Sequence, residues 1–285
     1  MHFEELVSQD IVEARRPEMF KKILIVVDNS EIMKDVVEYT ATLFPDAFFC
    51  LYSIINLGSF SGYYTKVVYK EMNELSQDAL SSLENLLEKR SIQFTAKTVV
   101  GDPVSEVLSH ARANGVDLIV METHAGVTAN KIKLGKTTFS MIMHSHLPVL
   151  LLGEDLKVNP SPRILHPTSG SKYSELATHV TGAVAAQWKS PVDVLVLNDD
   201  HEGVKTRVEQ ILTESGITGD FSFAEHGKEV SSVIAQASDA DIIIGSRGSP
   251  RKSYKLRFLF RPFALDPHIR LIVAFLPKPF LLVCD

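Results

Sequence analysis

Short apolar runs alternate along this chain with longer stretches whose apolar positions recur at helical spacing. Residues 22–27 (KILIVV) form a continuous run rich in β-branched side chains, as expected of a strand buried on both faces of a parallel sheet. The run ends in Asp28-Asn29-Ser30. Ser30 stands as the N-cap of a helix carrying Met33, Val36, Val37 and Leu43 and closed by Phe44-Pro45. The same alternation predicts a strand over 47–55, an amphipathic helix over 71–89, a strand over 94–100, a Gly-Asp-Pro turn and a helix over 104–113. A buried strand over 117–121 (DLIVM), a helix over 137–146 and a strand over 148–152 (PVLLL) complete the series. Strands that alternate with helices call for right-handed crossovers and a parallel sheet covered on both sides.

The order then repeats. Residues 154–161 carry charge, Asn and Pro, as an exposed connector does. Beyond them come RILH, a helix to Trp188, VDVLVL, a helix near Val208, FSFA, a helix from Val230, DIIIG and FLLVC. Lys22-Ile23-Leu24 aligns with Arg163-Ile164-Leu165, and Gly101-Asp102-Pro103-Val104 with Gly227-Lys228-Glu229-Val230. Asp117-Leu118-Ile119-Val120 aligns with Asp241-Ile242-Ile243-Ile244. Duplication accounts for this economically. The expected organisation is an N-terminal extension (1–19), a first domain (20–153), a linker (154–161) and a second domain (162–285). The first copy alone has an insertion over 58–69 (GSFSGYYTKVVY), read as an ordinary surface loop, a lid or a partner surface.

A length of 285 residues suits two domains, and 45% hydrophobic with 22% charged residues suits folded, soluble ones. Lys and Arg total 29 against 35 Asp and Glu, a net charge of −6, so no global field draws nucleic acid or an anionic membrane. Cys50 and Cys284 each sit in an apolar run. They offer neither a disulfide framework nor a zinc set, and the ten histidines lack ligand spacing, so no metal is expected. No signal peptide and no run of about 18 apolar residues occurs, which makes the cytoplasm the expected location.

The motifs IVVDNS, GDPVSEVL, DLIVM and HLPVLLL stand in an order that resembles the universal stress proteins, over roughly 20–153 and more weakly over 162–285. That resemblance implies two tandem α/β domains, each a five-stranded parallel sheet of order 3-2-1-4-5 with helices on both faces. It also implies ATP, AMP or a related adenine nucleotide at the switch point beside strands 1 and 4. The residues it assigns to the nucleotide in the first copy are Asp28, Ile54, Gly135, Lys136, Thr137 and Thr138; in the second they are Gly245, Ser246 and Gly248. The physical reason holds without the family: a phosphate needs backbone N–H groups at a helix start with no side chain in the way. The first copy departs from the pattern at Glu122 and Ala125, where glycines are expected, and at Lys136, where a hydroxyl residue is. Glu122 places a carboxylate where an anion should bind, and Lys136 compensates in charge. In the second copy Ser169 stands where Asp28 does, and Phe258 where a Gly is expected.

Other signals have two readings each. Leu134-Gly135-Lys136-Thr137-Thr138 resembles a phosphate-binding Walker loop, but position 130 is Asn rather than Gly. Ser169-Gly170-Ser171-Lys172-Tyr173-Ser174 resembles the loop of ATP pyrophosphatases, and equally a Ser-rich helix cap. The basic stretch 247–261 (RGSPRKSYKLRFLFR) is either a docking patch or a solvated face. The function expected is a nucleotide-responsive regulatory module without catalytic residues, acting with an unknown protein partner. An ATP-hydrolysing or pyrophosphatase-like enzyme and a ligand-free scaffold are the alternatives. Finally, 148–152 and 280–284 are too apolar to remain open sheet edges. They are expected to pair within the chain as a pseudo-dimer, with a second chain added through another surface.

Overall fold

In a computed structural model, which describes residues 19–58, 64–123, 126–128, 131–133, 135–153, 156–247 and 278–284, every expected strand is present. The first half runs β1 (Lys22–Val27), α1 (Met33–Leu43), β2 (Phe48–Ile55), α2 (Tyr64–Lys89), β3 (Phe94–Val100), α3 (Pro103–Asn114), β4 (Leu118–Glu122). A small hairpin follows, β5 (Gly126–Thr128) with β6 (Lys131–Lys133), then α4 (Lys136–His144) and β7 (Val149–Leu152). The second half runs β8 (Ile164–Thr168), α5 (Lys172–Trp188), β9 (Val192–Val196), α6 (His201–Glu214), β10 (Gly219–Phe223), α7 (Glu229–Ala237), β11 (Ile242–Ser246), β12 (Phe280–Val283). Each half orders its five strands 3-2-1-4-5, all parallel, as expected.

Strand alternation divides the core into two layers. Ile23, Ile25 and Val27 of β1 face the side covered by α1 and α2, together with Leu118 and Val120 of β4. Leu24, Ile119 and Met121 face the side covered by α3 and α4. Both layers continue into the second half, where α5 and α6 share the side of α1 and α2, and α7 that of α3 and α4.

The halves join in one ten-stranded sheet, β10-β9-β8-β11-β12-β7-β4-β1-β2-β3. At its centre β12 pairs antiparallel with β7, Phe280 opposite Leu151, Leu281 opposite Leu150 and Leu282 opposite Val149. Leu150 and Leu281 are equivalent positions of the two halves, so the axis relating them passes between this pair. The strand pairing expected of 148–152 and 280–284 is therefore present. On the α1 side, Trp188 Nε1 donates to the Leu43 carbonyl at 2.9 Å, and its ring meets Phe44 edge-on at 5.5 Å. Tyr39 of α1 is buried. Its phenol is pushed up by that burial and then by Asp241 of the second half.

The alignment of Asp117 with Asp241 has a structural counterpart. Asp117 Oδ2 accepts from the backbone N–H of Lys21 at 2.9 Å, and Asp241 Oδ2 accepts from that of Arg163 at 2.9 Å. Each aspartate thus ties the start of strand 4 to the start of strand 1.

Some expectations are corrected. Helix α1 begins at Met33 without a side-chain cap, because the Ser30 hydroxyl bonds elsewhere. Helix α2 begins at Tyr64 rather than at 71, so the end of the 58–69 insertion is helix; residues 59–63 lie outside the described residues. The described residues of the connector are exposed or half-buried, and they are also tied down: Leu156 packs on the core, Asn159 bonds Asp241 at 3.0 Å, and the Ser161 hydroxyl bonds the Lys189 carbonyl at 2.7 Å. The N-terminal extension lies outside the described residues up to 18.

His166, on β8 where β1 has Ile25, is fully buried. Its Nδ1 donates to the Ile244 carbonyl at 2.8 Å and its Nε2 faces the Thr178 hydroxyl at 3.0 Å. Burial pushes its pKa down to about 4 from 6.5. The unfolded chain therefore binds more protons between these values, and stability falls as pH drops from 6.5 towards 4. His166→Ile is expected to flatten that part of a pH–Tm profile; an unchanged slope contradicts the assignment. Leu282→Ala is expected to cost about 2–5 kcal/mol of unfolding free energy in urea titrations, since the site is sealed on both faces. A cost below about 1 kcal/mol would mean that the central pairing is loose.

Candidate functional site

Strands β1 and β4 are neighbours, yet the chain leaves them on opposite faces, through α1 and through α4. The rim above their C-terminal ends is the switch point where such sheets hold ligands. Asp28 follows β1 and is exposed, and its Oδ1 accepts the Ser30 N–H at 3.0 Å, which folds the loop back on itself. The Ser30 hydroxyl donates to Glu122 Oε2 across the rim. Glu122 ends β4 and is buried.

Its place in the alternation corrects one expectation. Leu118 and Val120 face α1 and α2, so Glu122 does too, and its bond to Ser30 agrees. The carboxylate is directed away from the side that carries α4, and it does not oppose an anion there. On the α1 side a cleft of about 390 Å³ opens between the β1–α1 loop and α2. Asp28, Ser30 and Lys34 line its polar side, and Met33, Leu75 and Leu83 its apolar side.

The α4 side carries the other first-copy residues. Ile54, near the end of β2, is half-buried and packs on the α3–α4 core layer, as do Val99 and Val104. Gly135 is the N-cap of α4 with no side-chain cap, and Lys136 and Thr137 are exposed behind it. The Phe139 N–H, bonded to Gly135 O at 2.9 Å, is the first amide satisfied in the helical way. Thr138 is buried, and its hydroxyl would lie 3.5 Å from a Cβ placed on Gly135, an ordinary contact. Gly135 is thus not demanded by sterics, and its lack of a side chain leaves the helix start open. Across from it, Asp102 caps α3 by accepting from the Ser105 N–H at 2.9 Å. That hydrogen bond holds its carboxyl below the usual range, with a smaller contribution from the Lys136 charge. Lys136 is thus close enough to Asp102 for their charges to attract, while remaining exposed.

In the second half Gly245 and Ser246 lie inside β11, paired with Leu282 and Val283. A Cβ at Gly245 would stand 3.3 Å from the Phe280 ring, so this glycine makes room for the central strand. Gly248 lies outside the described residues, as do Ala125 and Phe258. The Ser169–Ser174 turn resolves as a helix cap: Ser171 accepts from the Ser174 N–H at 3.3 Å. Gly170, at φ +67°, gives the turn its left-handed residue against Val204. Of the basic stretch 247–261 only Arg247 is described, and its guanidinium bonds the end of α4. Among the described residues no group of three or more His, Cys, Asp and Glu side chains is placed to hold a metal ion. No helix among them is long and apolar enough to cross a membrane.

Residues 19–153 match the sequence profile of the universal stress protein family. A universal stress protein of Methanocaldococcus jannaschii is 24% identical over 146 residues, 49% of this chain and 85% of the relative. Universal stress protein YxiE of Bacillus subtilis is 27% identical over 148 residues, 47% of this chain and 99% of the relative. The crystal structure of a universal stress protein from Archaeoglobus fulgidus superposes with a TM-score of 0.75 at 20% identity, covering 93% of this chain and 98% of that one. This last likeness spans both halves, so the tandem arrangement is a universal stress protein fold.

Three features were not foreseen: the Ser30–Glu122 bond, the cap that Asp102 places on α3, and the bond of Arg247 to α4. The Gly-Asp-Pro turn did carry a signal for the second, since Asp before Pro is a helix start and its charge lies at the same rim. Asp102→Ala is expected to cost about 1 kcal/mol in urea unfolding through loss of the cap. Asp102→Asn keeps the cap and removes the charge, so it should stay within about 0.5 kcal/mol of wild type. Equal losses in both variants would show that the charge, not the cap, stabilises α3.

Proposed function

We propose that this chain is a cytoplasmic universal stress protein and a nucleotide-responsive regulatory module. It binds ATP or another adenine nucleotide in its first half and acts through a protein partner rather than by turnover. Its two units are taken as 20–153 and 162–285. The observation that carries this reading is the start of α4: a helix N-terminus without a side-chain cap, with half-buried Gly135 followed by exposed Lys136 and Thr137, on the sheet face of Ile54. The first N–H groups of a helix, which lack intrahelical acceptors, and a lysine suit a phosphate, while Asp28 at the end of β1 suits the hydroxyls of a ribose or the amine of an adenine. The second half is the weaker candidate, because Gly245 and Ser246 are committed to the sheet. Its contribution is structural, through β12 and Arg247.

Thermal shift and steady-state phosphate release, each with ATP, AMP and no ligand, test the reading. A Tm rise without release is expected; at one hundred times Kd the gain is about 2.7 kcal/mol. Release at a steady rate would make the protein an enzyme, and no shift would make it a scaffold. Asp28→Ala is expected to weaken ATP by about 1–3 kcal/mol with little change in the apo Tm. An unchanged Kd removes Asp28 from the site. Glu122→Gly should change ATP and adenosine affinities alike, because the carboxylate faces α1; selective tightening of ATP would place it against the phosphates after all.

A further inference from the structure

Helix α4 has nine residues, too few to be stable alone in water, so its order depends on what holds its two ends. Its last turn leaves carbonyl groups without intrahelical donors. Arg247, from the other half of the chain, answers them: its Nη1 donates to Ser145 O at 2.8 Å and lies 3.3 Å from Ile142 O and 3.4 Å from Met143 O. Its cationic charge also sits at the negative end of the helix dipole. The backbone behind it is fixed, for the Arg247 N–H donates to Val283 O at 3.0 Å, directly after Ser246 closes β11. The equivalent residue of the first half is Thr123, whose N–H donates to Leu152 O at 2.8 Å in the same register but whose side chain has no charge. The first half therefore offers no guanidinium at this position, and the contact described is made by the second half upon the first.

The other end of α4, about 13 Å away at 1.5 Å per residue, is the start at Gly135 to Thr138. We propose that Arg247 is a positioning residue through which the second half sets the order of α4 as a whole. It thereby tunes the affinity of the first half for the phosphate groups of its ligand. The second clause rests on the reading of the α4 start given above; the first does not. Because the helix is short, loosening its last turn leaves the remaining bonds too few to keep the Phe139 N–H on Gly135 O, and the amide donors ahead of it diverge. Anything that shifts the end of β11 then reaches the first half's crevice through one guanidinium. This gives a degenerate second copy a role: it regulates a site that it does not itself share.

The test is residue-resolved hydrogen exchange on the full chain for wild type, Arg247→Ala and Arg247→Lys, with no ligand present. Arg247→Ala is expected to speed exchange at Phe139 and Ser140 about tenfold, with amides of β4 and β9 within about twofold of wild type. Arg247→Lys, which keeps the charge, should restore part of the protection. Acceleration confined to Ser145 at the helix end, or equal acceleration throughout both halves, overturns the proposal. Calorimetric titration in the same variants then separates the two clauses. If wild type binds ATP, Arg247→Ala should weaken ATP about tenfold and adenosine less than threefold, since only ATP presents charge to the helix start. Equal weakening overturns the link to phosphate. If wild type binds no ATP, the nucleotide reading fails, and the exchange result alone decides whether Arg247 orders α4.

Discussion

The antiparallel pairing of β7 with β12 is the contact on which the rest of this molecule depends. Both strands are apolar at every position and buried on both faces, so each would be an open, aggregation-prone edge if its half stood alone. Pairing Leu150 with Leu281 turns two edges into the centre of one sheet. It also fixes everything around it. Because the strands run antiparallel in one plane, equivalent helices fall on the same side. The core layers run unbroken across the joint, Trp188 reaches Leu43, and Arg247 reaches the end of α4. The exposed edges are moved to β3 and β10 at the two ends, where polar residues such as Thr95, Lys97 and Asp220 are found.

Much of this fold is legible in the sequence. Parallel strands buried on both faces must be continuous apolar runs, and each such run is a strand with bounds shifted by a residue or two. The duplication is legible because the two halves solve the same backbone problem with the same residue, as Asp117 and Asp241 show. What is not legible depends on contacts distant in sequence. Ser30 reads as a helix cap by its neighbours alone, and only the approach of Glu122 from β4 draws its hydroxyl away. Gly245 reads as a phosphate-binding glycine, and nothing near it in sequence shows that the Phe280 ring stands beside it in the sheet. The hairpin of β5 and β6 has too few residues to leave a period in the sequence.

The candidate site shows the same division. Asp28, Ile54 and Gly135 to Thr138 all lie on the C-terminal rim or at the helix start that a parallel sheet makes available, because topology alone puts them there. The face to which each side chain turns is set by strand parity. This sends Glu122 towards α1, and it separates the apolar-walled cleft of the α1 side from the helix start of the α4 side. The asymmetry of the halves follows as well. The first keeps an acid and an open helix start, whereas the second has placed its glycine in the sheet and its arginine on its neighbour.

If the central pairing governs the molecule, the two halves cannot melt separately: losing β12 exposes β7, and the reverse. Differential scanning calorimetry of the full chain measures this directly. A single transition whose calorimetric enthalpy equals its van't Hoff enthalpy is the predicted result. Two resolved transitions, or a calorimetric enthalpy about twice the van't Hoff value, would show two independent domains that merely touch, and would contradict the account.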